Sequence, residues 1–197
     1  MTAHNMLTEI DGPLLADAFP AALRPEAVVA CAAMARHLNS RQWTERFSVQ
    51  VEGEQVLIPA RLHFVSDDDP SMDHAAWLIR RSLRTRSGNG FERQRAVRDL
   101  LSDLQPWSAP FVMALIGEYV VEILIEIDTA MTGAGGDTLA SFIVANPVFW
   151  QTTKQRVASY WNVYYCHHKR SEYVGFELID KLEAIIPKLP VKECVAL

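Results

Sequence analysis

Cysteine is scarce in this chain, and what there is stands apart. Cys31, Cys166 and Cys194 are the three, with no Cys-x-x-Cys among them. That spacing excludes a disulfide framework and points to reduced thiols in a cytoplasmic protein. A free cysteine behaves chiefly as a small hydrophobe, and Cys31 lies in the apolar stretch VVACAAMA. Long apolar runs are also lacking. The most membrane-like stretch, 107–127, stops being purely apolar at Glu118, short of the roughly 20 residues that span a bilayer. Its three glutamates would be costly in lipid, so no membrane is expected. The first residues carry no basic flank followed by a long apolar run, so no secretory signal is expected.

Catalytic motifs are absent too. There is no Gly-x-Ser-x-Gly elbow, no phosphate loop, no His-Glu-x-x-His and no dinucleotide fingerprint. Catalytic groups are often assembled only in space, so an enzyme is neither excluded nor nameable. The histidines, His4, His37, His63, His74, His167 and His168, are scattered. Without a Glu-x-x-His, a di-metal carboxylate bundle lacks its ligands. Ser66-Asp67-Asp68-Asp69-Pro70 has neither the glycine nor the distal glutamate of a calcium loop. Acidic capping of the following helix is the expectation there. Cys166-His167-His168-Lys169-Arg170 has zinc-ligand residue types, but adjacent helical residues point in different directions. Basic residues at a helix C-terminus account for it. Gly133, Gly135 and Gly136 read as a turn. No metal and no cofactor is expected.

What the chain does have is apolar substance. It is 49% hydrophobic over 197 residues, with five Trp, five Tyr and eight Phe, which suits one sizeable domain spanning 1–197. The formal net charge of −5 weighs against bulk nucleic-acid binding. Residues 1–23 form a lead-in. A helix follows Pro25 over 26–37. A β-hairpin is expected at 46–65, where Phe47, Val49 and Val51 alternate with polar residues, Gly53 marks the turn, and Val56, Ile58, Ala60, Leu62 and Phe64 alternate again. Pro59 makes the second strand an edge or puts a bulge there, and so small a hairpin must lean on other elements or find further strands.

A helical core over 72–186 follows. Met72, Ala76, Ile79 and Leu83 set the face of its first helix, over 72–83. Val97, Leu100, Leu101 and Leu104 set the face of the next, over 91–104. One long, nearly all-round apolar helix is expected from Pro106 to about Thr129. Shorter helices are expected over 138–145, 149–166 and 171–186. The fold class is therefore mainly α: an irregular bundle or a short stacked-helix array carrying a small hairpin. The segment from Asn89 through Arg98, with its glycine, basic residues, alanine and following leucines, distantly resembles one helical unit of a HEAT-type repeat. That resemblance implies a stacked-helix scaffold binding other macromolecules, though no regular period runs through the remainder.

Charge is the sharpest pattern. Arg80, Arg81, Arg84, Arg86, Arg93, Arg95 and Arg98 fall within nineteen residues beside a single acid, Glu92. Downstream, Glu118, Glu122 and Glu126 recur every four residues. On one helix they advance by about 400° per step and share a face. Packed helices would pair the two sets, with Arg80 and Arg84 one turn apart and Arg95 and Arg98 likewise; the alternative is a plain solvated acidic face. The aromatic set Trp150, Tyr160, Trp161, Tyr164 and Tyr165 spreads over more than one helix face, so Trp161 and Tyr165 join the candidate binding residues. The expected function is a non-catalytic protein-protein interaction or scaffold module, with another protein or a second copy as partner. One alternative is an enzyme or small-ligand pocket lined by Glu118, Glu122 and the arginines. The other, disfavoured, is nucleic-acid binding through the arginine block, which would need one exposed stripe.

Overall fold

The computed structural model describes residues 7–39, 42–65, 73–131 and 134–188. The acidic run 66–70, Met72, Gly133, Cys194 and His4 lie outside them. The fold is mainly α with a small antiparallel sheet of three strands. The expected hairpin is there: β1 (Leu7–Glu9) comes first, then β2 (Trp43–Val51) and β3 (Glu54–Pro59), in spatial order β1-β2-β3. Val49 faces Val56 and Phe47 faces Ile58 across the hairpin. Glu52 and Gly53 both have positive φ, 51° and 87°, the mirror-image turn whose twist matches a two-residue hairpin. Pro59 ends β3, an edge strand, where its missing N–H costs no ladder bond; the strand thus stops short of the expected Leu62 and Phe64, which form only isolated bridges to Ser87 and Leu38. The lead-in is more ordered than its sequence suggests. It supplies β1, which extends the hairpin from the other side, and the short helix α1 (Gly12–Ala16).

The helices follow the apolar stripes closely. These are α2 (Arg24–Ala35), α3 (His74–Arg84), α4 (Gly90–Leu101), α5 (Ala109–Ile116), α6 (Val121–Thr129), α7 (Ala134–Ala145), α8 (Pro147–Tyr160) and α9 (Val174–Ile185). Asp73 caps α3, its carboxylate accepting from the Ala76 amide at 2.8 Å. Asn89 caps α4 in the same way through the Phe91 amide. Neighbours pack in chain order, α1 on α2, α2 on α3 and α3 on α4, then α4 on α6 and α6 on α9. The buried apolar side chains form one cluster running from Leu15 and Met34 through Ile58, Leu83, Phe111 and Ile123 to Leu182. Cys31 is part of it, its thiol pushed up to about 12 chiefly by burial. Cys166 is exposed.

The long central helix is a correction. All eight residues of α5 are buried, as an all-round apolar helix requires. It stops at Gly117, and residues 117–120 are non-helical, with Val120 extended before α6 begins. Val120 and Val121 are weak helix formers, and the turn they permit is filled by Glu118. The glutamates therefore do not share one helix face. The aromatic helix runs on to Tyr165 but changes geometry: α8 closes at Tyr160, and Trp161–Tyr165 continue it as a π helix.

Asn146, between α7 and α8, ties the helices to the sheet. Its buried amide accepts from the Gln50 N–H at 2.7 Å, and its Nδ2 donates to the Gln50 carbonyl at 2.8 Å and the Phe142 carbonyl at 3.0 Å. The side chain thus bonds β2 as another strand would. Asn146→Ala leaves those buried groups without partners. It is expected to destabilise the fold by about 1–3 kcal/mol in urea unfolding, with the slope unchanged. A loss below about 0.5 kcal/mol, the scale of a surface change, would contradict this role.

Candidate functional site

Residues 85–88 connect α3 to α4 and fold back onto the exit of β3. The Leu62 amide donates to the Arg86 carbonyl and the Gly88 amide to the Leu62 carbonyl, both at 2.7 Å. This seats the Arg86 side chain beneath the end of the sheet. Its Nε donates to the Pro59 carbonyl at 3.2 Å and its Nη2 to the Ala60 carbonyl at 2.7 Å. The guanidinium thereby satisfies acceptors at the end of an edge strand, and it is 4% exposed.

Glu118 reaches the same place from the turn between α5 and α6, and is 8% exposed. Its Oε1 accepts from Arg61 Nη2 at 3.0 Å and from Arg86 Nη2 at 3.3 Å. Arg93 Nε lies 3.1 Å from its Oε2. Arg61 and Arg93 each also donate to the Ser87 carbonyl, at 3.2 and 2.9 Å. Three guanidiniums thus gather on one carboxylate, a local charge of +2 in a covered place. Burial pushes the Arg86 guanidinium down to about 10. Glu118 opposes that shift, while Arg61 and Arg93 add to it. Arg93 is lowered for the same leading reason. Arg86 stays charged at neutral pH, yet its Nη1 is buried with no hydrogen-bond partner. An unmet N–H of this kind costs about 1–3 kcal/mol, and more when charged.

Arg86, Arg61 and Glu118 line a cleft of about 690 Å³ between the sheet and α8. Its opposite lip carries Val148, Phe149, Arg156 and Tyr160. Arg156 lies across the turn because residue 117 is glycine. A Cβ there would sit 3.3 Å from Arg156 Cδ and 3.7 Å from Thr153 Cγ2. Arg156 itself forms no hydrogen bond or ion pair among the described residues.

The sequence-derived residues divide among several places. Glu118 lies in the cleft. Glu126 pairs with Arg98 on the outer surface, where Arg98 Nε donates at 3.1 Å and Gln94 adds a bond at 3.2 Å. The Arg98 hydrogen bond, with a smaller contribution from Gln94, holds the Glu126 carboxyl below the usual carboxylate range. Glu122 is exposed and faces none of the arginine block in any hydrogen bond or ion pair. Arg84 is buried against the Phe64 ring at 4.1 Å and pairs with Glu92. Arg80 is buried as well. Arg95 is exposed and lines a separate cleft of about 570 Å³ with Arg84 and Phe91. Trp161 packs edge-on to Phe176 at 5.9 Å. Tyr165 stacks on Tyr173 at 5.0 Å and donates its hydroxyl to the Tyr119 carbonyl at 3.0 Å. Neither lines the Arg86 cleft. The pairing of helices thus holds for Arg98 with Glu126, while the Glu118 partners are Arg61, Arg86 and Arg93. Arg61 and Arg156 carry no sequence signal, being lone arginines after a strand and on an exposed helix face.

Comparison with known proteins finds no matching family model, no similar curated protein and no similar solved structure. The reading of the cleft rests on its own geometry.

Glu118→Gln removes the one carboxylate that, among the described residues, pairs with Arg86 and Arg93. It is expected to destabilise the fold by about 3 kcal/mol or more at pH 7 in urea, whereas Glu122→Gln changes stability by less than about 0.5 kcal/mol. Equal effects of the two substitutions would contradict the arrangement.

Proposed function

We propose that this chain is a ligand-binding protein that takes a small anion in the cleft beside Arg86. The observation that carries the reading is the covered Arg86 Nη1, a charged donor without a partner in a residue that lines an open cleft. Arg156 stands unpaired on the opposite lip. Guanidiniums carry donors only, and the strong partner for them is a carboxylate or phosphate. Of the alternatives, nucleic-acid binding is not favoured, because Arg80, Arg84, Arg86 and Arg93 are buried and no single exposed stripe forms. Acid-base catalysis by Glu118 is not favoured either. Its carboxylate is ion-paired with Arg61, Arg86 and Arg93, while a catalytic base needs a lone pair within reach of substrate.

A second reading, contact with another protein or a second copy, is favoured by one separate feature. Tyr119, Tyr160 and Tyr164 form a triangle of rings 5.5 to 6.1 Å apart, beside the exposed Val163. Tyrosine-rich exposed surface is the composition of binding hot spots.

Thermal unfolding at constant ionic strength tests the anion reading. Acetate or phosphate at about a hundred times its Kd is expected to add about 2.7 kcal/mol, a rise of several degrees in Tm. Arg156→Gln is expected to remove most of that rise without changing the unliganded Tm. No rise with any small anion would contradict it. For the second reading, sedimentation of the wild type and Tyr164→Ser is expected to show self-association that the substitution weakens. A wild type that stays monomeric at every concentration would leave self-association unsupported.

A further inference from the structure

We infer that the anion is an amphipathic monocarboxylate, its head held by Arg86 and Arg156 and its apolar body lying along α8. This rests on the anion-binding reading of the cleft and adds the ligand class.

The charge count sets the valence. The cleft is lined by Arg61, Arg86 and Arg156 against Glu45 and Glu118. Among the side chains that line the cleft, Arg93 not being one of them, three cations less two anions leave one positive charge. A monoanion balances it, while a dianionic phosphate overshoots it and meets both carboxylates. The donor geometry agrees. A planar guanidinium presents parallel N–H groups that a carboxylate accepts in pairs, and among the residues lining the cleft the buried donor without a partner, Arg86 Nη1, belongs to such a group.

The body is set by what surrounds the head. Phe47 from β2 and Phe149 from α8 stack at 5.6 Å and both line the cleft. Val148, also on its lip, is 79% exposed. An apolar residue left so open at the lip of a cleft gains by covering. The volume of about 690 Å³ falls in the range of roughly 300–1,000 Å³ typical for drug-sized ligands, far more than a bare carboxylate fills. Burying an apolar chain against Phe47, Phe149 and Val148 is the contribution that acetate cannot make.

Calorimetric titration with acetate, octanoate, octanamide and inorganic phosphate tests this on the wild type, Val148→Ser and Arg156→Gln. Val148 and Arg156 are exposed, so both variants are expected to fold. Octanoate is expected to bind about a hundredfold more tightly than acetate, from partial burial of its chain. It should exceed octanamide by about tenfold or more, from the charged head. Val148→Ser is expected to weaken octanoate several-fold and leave acetate unchanged, while Arg156→Gln weakens both. Equal affinity for acetate and octanoate overturns the apolar body and leaves the anion reading standing. Phosphate binding more tightly than octanoate overturns the monoanion. Octanamide matching octanoate, or no binding by any of the four, overturns the anion reading itself.

Discussion

One carboxylate placed among three guanidiniums governs the middle of this molecule. Glu118 accepts from Arg61 and Arg86 and lies against Arg93. Those four side chains come from the strand exit, the α3–α4 turn, α4 and the α5–α6 turn. A buried cation without its partner is far more costly than a surface one, so each of these segments is held where its charge is met. The break between α5 and α6 belongs to the same constraint. A continuous helix would carry Glu118 on the face of Glu122 and Glu126, while the non-helical turn at 117–120 lets it point back toward the sheet.

The sheet depends on helices for the bonds a larger sheet would supply itself. Three short strands leave backbone groups unpaired, and a small sheet of this kind is marginal alone. Asn146 takes the Gln50 N–H and carbonyl. Arg86 takes the Pro59 and Ala60 carbonyls. Both are buried polar side chains standing in for absent strands, and both border the same cleft. The cleft is thus a consequence of how the sheet is finished. Its walls are the side chains that seal the strands, and Arg86 has more donors than the seal uses.

Most of the fold was legible because it follows periodicity. The alternation of Phe47, Val49 and Val51, the stripe of Val97, Leu100 and Leu101, and the all-apolar run of α5 each became the expected element. The opposed charge blocks correctly announced contact between helices, and Arg98 with Glu126 is such a contact. The site was less legible. Four-residue spacing implies a shared face only if the helix is unbroken, and Gly117 followed by β-branched residues was the signal against that. Arg61 and Arg156 are single residues whose meeting is made by tertiary packing. Arg93 lies off the apolar stripe of its helix and is buried all the same, since a charge can face inward wherever a counter-charge awaits it.

The most direct test of this account is the coupling between Glu118 and Arg86. A double-mutant cycle of Glu118→Gln and Arg86→Met, each measured by urea unfolding at pH 7, isolates it. If the two side chains form one buried unit, the double variant is less destabilised than the sum of the single variants by about 1.5 kcal/mol or more. Single losses that add to within about 0.5 kcal/mol would contradict the claim that the Glu118 cluster holds the sheet, the α3–α4 turn and the central helices in one arrangement.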